Sequence, residues 1–146
     1  MVPHTKVHFQ LEQDEDDYPP VAVESVWATP GQGPGRFVLD NVPFFTRDAT
    51  LGDEVAVSVA EGGYWFESVV NRSGNSLIRV VFFDTSHRDR VMQDLQALGC
   101  STESLAAHSL VAVNVPEQVP LRTVREYLQG ETAADHLDYE EPILRQ

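Results

Sequence analysis

The chain has 146 residues, enough for one ordinary domain or two small fused ones, and can bury roughly two thirds of its extended surface. Its hydrophobic fraction of 42% excludes overall disorder. Ten Lys and Arg against 23 Asp and Glu give a formal net charge of -13, which disfavours nucleic acid and anionic membranes as direct ligands and favours encounter with basic partners.

In chain order, the first half reads as strands. "KVHFQLEQ" alternates, with Val7, Phe9 and Leu11 on one side. "PVAVESVWA" repeats the pattern, placing Val21, Val23 and Trp27 on one face and Glu24 on the other, with Ser25 interrupting the apolar row. "PGQGPG" breaks the chain, "RFVLDNVPFF" resumes it in extended form, and two apolar runs flank Gly62-Gly63, a hairpin signal. "LIRVVFFD" is nearly continuous in apolar character, as a central strand covered on both faces would be.

The second half alternates strands with helices. "SHRDRVMQDLQALGC" predicts a helix capped by Ser86, with Asp89 completing the box and Gly99 ending it. "CSTESLAAHSLVAVNVP" predicts a short strand, a turn and a better strand. Pro120 opens a second helix that Gly130 should stop. "HLDYEEPIL" could add a last strand, which Pro142 would restrict to a sheet edge or end. The expectation is an α+β chain. Residues 1–76 form a small antiparallel barrel or meander, and residues 77–146 a ferredoxin-like β-α-β-β-α-β arrangement.

"KVHFQLEQDEDDYPPVAVESVWA", "LDNVPFF", "LGDEV", "GYWFE", "LRTVREYL" and "LDYEE" together resemble a family of small bacterial proteins, common in soil actinobacteria and catalogued only as a domain of unknown function. The resemblance runs from about residue 5 to 144 and is most specific from Glu12 to Trp27. It implies a bacterial cytoplasmic protein of this architecture and supplies no catalytic residue.

Known chemistries find little support. "DEDDYPPVAVES" puts Pro19 where a calcium loop needs glycine, so no metal is assigned. The five histidines lack zincin spacing, and no Gly-x-Ser-x-Gly elbow, P-loop or Rossmann fingerprint is present. No cofactor is expected. Cys100 is the only cysteine and reads as a small buried hydrophobe, so no intrachain disulfide forms. "MVPHTKVHFQ" lacks a secretory leader pattern, and no apolar run reaches the roughly 18 residues a bilayer requires. A cytoplasmic location follows as the expectation.

Two functional readings compete. The first is a non-catalytic adaptor, inhibitor or immunity-like protein that engages a basic protein or peptide through Asp14, Glu15, Asp16, Asp17 and Tyr18, with Trp27, Phe44, Phe45 and Trp65 supplying aromatic surface. The second is a small enzyme acting on a peptide or metabolite, with Glu24 and Glu67 as an acid/base pair in an aromatic cleft. Simple alternation favours the outer sheet face for both glutamates. An edge strand near "SLVAVNV" would leave a homodimer open. The non-catalytic reading is preferred.

Overall fold

Alternating and apolar segments become strands throughout residues 4–146, the part of the chain that the computed structural model describes. The chain divides into two units between Ser73 and Gly74, in the turn ahead of the sixth strand. The first contains β1 (Thr5–Gln10), β2 (Val23–Pro30), β3 (Arg36–Leu39), β4 (Glu54–Ala60) and β5 (Gly63–Asn71). Each pairs antiparallel with the next, and β5 returns to lie parallel to β1, so the pairings close on themselves.

The register of β2 against β1 reverses the expected faces. Val7 lies opposite Val26 and Phe9 opposite Glu24. Paired residues share a face, and Val7 and Phe9 are buried, so Glu24, Val26 and Ala28 turn inward while Val23 and Trp27 turn out. The core of this unit gathers Val7, Phe9, Leu11, Val26, Ala28, Leu39, Ala49 and Val55, with Phe66 stacked on Phe9 at 4.7 Å between centroids.

A bulge on β5 shapes the same core. Ala56 pairs with Ser68 but Val57 with Phe66, so Glu67 is extra and the inward positions step from Phe66 to Val69. The β4–β5 hairpin turns on Glu61 and Gly62, with φ of 51° and 76°, while Gly63 pairs with Ala60 inside the ladder. The turn therefore sits one residue earlier than Gly62-Gly63. A two-residue hairpin loop needs a left-handed backbone at both positions, and Glu61 adopts it without being glycine.

After β3 the expected extension through Phe45 does not continue as a strand. Residues 40–53 run without a sheet partner. Their backbone amides must be satisfied some other way.

The second unit holds β6 (Ser76–Phe82), α1 (Arg88–Ala97), β7 (Ser101–Leu105), β8 (Leu110–Val115), α2 (Leu121–Ala133) and β9 (Leu137–Ile143). Its antiparallel sheet has the order β7-β8-β6-β9. Strand β6 is central, and Ile78, Val80 and Phe82 join Val111, Val113 and Val115 against Val91 and Leu95 of α1 and Val124 and Leu128 of α2. The opposite face is buried too, at Leu77, Arg79, Ala112 and Asn114. Arg79 is 2% exposed, and its Nη1 lies 3.8 Å from Glu140 Oε1 on β9.

Three local expectations change here. Asp84, not Ser86, caps the chain entering α1: its carboxylate accepts the Ser86 N–H at 2.9 Å and starts a short 3-10 turn over Thr85–His87. Gly99, at φ 106°, does end α1. Gly130 does not end α2. The helix runs to Ala133, and Asp135 takes the left-handed position at φ 61°. Finally, β8 lies between β7 and β6, so "SLVAVNV" offers no free edge; β7 and β9 are the edges, and Pro142 is on β9 as a sheet edge requires.

The hairpin yields a simple test. Asn tolerates the left-handed region better than Glu, so Glu61→Asn should stabilise the fold by about 0.5–1 kcal/mol in urea denaturation, while β-branched Glu61→Val should destabilise it.

Candidate functional site

The four acids form a tight turn organised by the first of them. Asp14 Oδ1 accepts the backbone N–H groups of Asp16 at 2.9 Å and Tyr18 at 3.0 Å. Its own N–H donates to Tyr18 O at 2.8 Å, and Asp17 N–H donates to Asp14 O at 3.1 Å. Asp17 sits at φ 56°, a conformation that Asp accepts more readily than most residues. Gln13 Nε2 ties the exit by donating to Pro19 O. Glu15, Asp16 and Asp17 are exposed beside Tyr18, which packs edge-on against Phe45 at 6.3 Å. Val21 and Val23 are exposed further along.

The aromatic residues separate by position. Trp27 is about half exposed, with Lys6 Nζ 4.9 Å from its ring centroid and the His4 ring 6.2 Å away. Lys6 is the only lysine in the chain. Trp65 is half-buried; its Nε1–H donates to Ala60 O, and its ring lies 5.2 Å from that of His8. Phe45 packs against the core of the first unit, and Phe44 is half-buried.

Glu24 and Glu67 are not brought together. Strand β1 lies between β2 and β5; Glu24 faces inward and Glu67 is exposed at its bulge. Glu24 is 8% exposed, so the outer-face expectation fails for it. Its carboxylate accepts three successive amides of the unpaired segment: Phe44 N–H at 2.5 Å, Phe45 N–H at 3.0 Å and Thr46 N–H at 2.8 Å. A glutamate engaged in this way anchors a loop.

Two more buried carboxylates do the same. Asp53 accepts from Thr50 N–H and Ser73 N–H. Glu54 accepts from Gln32 N–H at 2.6 Å and from Asn71 Nδ2, which, the backbone amide foremost, hold its carboxyl below the usual range. A Cβ at Gly31 would collide with that carboxylate, which explains a glycine there.

Sequence reasoning missed a cluster in the second unit. Glu131, on the last turn of α2, is 8% exposed and accepts from both Arg90 Nη atoms, from Tyr127 Oη at 3.2 Å and from His136 Nδ1 at 2.5 Å. The Arg90 guanidinium, then His136, hold its carboxyl down at about 2. Tyr127 Oη also donates to Asp94 at 2.6 Å, and burial pushes that phenol up. The His136 ring stacks on His87 at 3.8 Å. These contacts tie α1, α2 and the entry to β9, and they explain why α2 outlasts Gly130. The only sequence trace is the acid on the inward side of α2, beside Leu128; Arg90 lies on an exposed flank of α1.

Among the described residues, no group of three or more His, Cys, Asp or Glu side chains could hold a metal ion, and no helix is long and apolar enough to cross a membrane. Cys100 is buried, and burial pushes its thiol up to about 11, as expected of an inert hydrophobe.

Residues 24–139 match the model of a family described as a domain of unknown function, DUF4265. The span begins at Glu24, so the acidic run Asp14–Asp17 lies ahead of it. A crystal structure of a hypothetical protein from Neisseria gonorrhoeae is similar in fold, with a TM-score of 0.73 at 20% identity over 99% of this chain and 96% of that one. No curated protein matches the sequence.

Two substitutions test the buried acids. Glu24→Gln should cost about 2 kcal/mol, because an amide cannot accept all three N–H groups. Glu131→Gln should cost about 1–2 kcal/mol by weakening the bonds from Arg90 and His136, Arg90 keeping Asp94 as a partner. Because Glu131 has a depressed pKa, its contribution is complete above about 4.5 and is lost as pH falls toward about 2. The variant should flatten the stability-pH curve in that window, read by thermal melts in an acid series.

Proposed function

We propose that this chain, which belongs to the DUF4265 family, is a non-catalytic acidic binding protein that engages a basic protein or peptide through the turn Asp14–Asp17. One observation carries this reading. Asp14 fixes the turn through its own carboxylate, so Glu15, Asp16 and Asp17 are presented in a set arrangement with Tyr18 and Val21 alongside. Preorganised charges lower the cost of ordering an interface, and an acidic protein steers basic partners toward it. The formal charge of -13 supplies that long-range field.

Further support comes from the fate of the inward acids. Glu24, Asp53 and Glu54 are engaged by loop amides, so they cannot serve as free acid/base groups without releasing those loops. The carboxylate-pair enzyme accordingly loses its geometry, and no cofactor enters the proposed role. Trp27 and Trp65 belong to the outer face of the first unit as secondary contact residues. We read that unit as a small barrel and the second as the split β-α-β ferredoxin-like arrangement, because its strand order is β7-β8-β6-β9 with a helix after β6 and another after β8. The proposed setting is the bacterial cytoplasm, with nucleic acids and membranes disfavoured as ligands by charge.

The test uses a fluorescent oligo-arginine peptide and the whole protein. The double variant Asp16→Asn/Asp17→Asn should weaken binding several-fold and lower its salt dependence, and Asp14→Ala should weaken it by loosening the turn. Affinity unchanged by these substitutions, or insensitive to salt, would sink the reading.

A further inference from the structure

The exposed end of the second unit's sheet carries an apolar surface that the acidic turn does not explain. Alternation along β6 sends Ile78, Val80 and Phe82 toward the helices and Leu77, Arg79 and Val81 to the other face, and Phe83 follows directly after the strand. Along that second row burial fades: Leu77 is fully buried, whereas Val81 is 42% and Phe83 64% exposed. Phe83 is the most exposed of the large aromatic residues among those described.

Across the sheet this row is covered again. Val81 pairs with Leu110 of β8, which is buried, and Leu110 pairs with the half-buried Leu105 of β7. The turn that follows β7 adds exposed Ala106 and Ala107, and it lies beside β6 because Phe82 N–H donates to Ser109 O at 3.1 Å. Val81 and Phe83, exposed two residues apart, differ from a single exposed side chain, which needs no explanation.

Its backbone is held. Phe83 N–H donates to His136 O at 3.1 Å, and the next residue, Asp84, is fixed by accepting the Ser86 N–H. An aromatic on a fixed frame loses little freedom on contact, the usual condition for an energetic anchor. Its border is acidic. Asp84 follows Phe83 directly, Asp138 is the register partner of Val81 on β9, and Asp135 is exposed just before that strand. The nearby arginines are taken up by acids: Arg90 by Glu131 and Asp94, and Arg88 by Asp89.

We infer that Val81 and Phe83 form a docking site for a basic amphipathic segment of a partner protein. The partner's apolar side chain covers Phe83 while its Lys or Arg residues face Asp84 and Asp138. A second copy of this chain fits poorly. A twofold contact at Phe83 would bring Asp84 toward its own counterpart between two bodies of charge -13. The site is distinct from the turn Asp14–Asp17 and stands without it.

A labelled amphipathic peptide of Lys and Leu, titrated into the whole protein by fluorescence anisotropy, tests this. Phe83→Ser should weaken binding about tenfold or more while the melting temperature holds, since this ring is exposed. Asp84→Asn/Asp138→Asn should reduce the salt dependence and leave the fold intact, because Asn still caps. The Phe83 effect should persist in the Asp16→Asn/Asp17→Asn background. Equal binding by Phe83→Ser and the parent overturns the site, whatever the turn variants show. So does self-association of the parent, by sedimentation, that Phe83→Ser abolishes, because a second copy would then be the occupant.

Discussion

The first unit depends on buried carboxylates accepting backbone N–H groups that no strand can satisfy. Residues 40–53 run through the first unit without a ladder partner, yet Val42, Thr46, Ala49 and Thr50 are buried. Unmet amides at such depth would each cost on the order of 1–3 kcal/mol. Glu24 meets three of them from a strand position where a hydrophobic side chain would be expected, and Asp53 meets another from the segment's end. The irregular segment is therefore specified as firmly as the sheet, by side chains rather than by pairing.

The second unit uses the same device with different donors. Glu131 collects a guanidinium, a phenol and an imidazole instead of amides. The acidic composition thus divides into two populations. Inward carboxylates are internal acceptors, held by short bonds and, for Glu54 and Glu131, with depressed pKa. Outward ones, such as Glu15, Asp16 and Asp17, make up the field that a partner meets. Net charge alone does not distinguish them.

Much of the architecture was legible because it follows from periodicity. The two helices, the central strand β6 and the edge position of Pro142 all came from apolar spacing and breaker residues. The faces of β2 were misread because Val21 and Val23 look like core, and only the pairing of Val7 with Val26 fixes which side turns in. The cap of α1 was placed two residues late because Asp84 and Ser86 both suit the role, and only the observed bond chooses between them. Glu131 was invisible for another reason: Arg90 lies 41 positions away, and no local pattern links them. The acidic run stands out in the sequence by its charge, but the use of Asp14 as its internal staple needed coordinates.

The ring of pairings in the first unit has one more implication. β5 pairs with β1 at two positions, Val7 with Tyr64 and His8 with Trp65, so the first and last strands of that unit shield part of each other's edge from a neighbour. The open sheet keeps two borders, one interrupted by Pro142 and the other five residues long, Ser101–Leu105. A proline in one border and a short length in the other are two common ways of discouraging unwanted strand addition there.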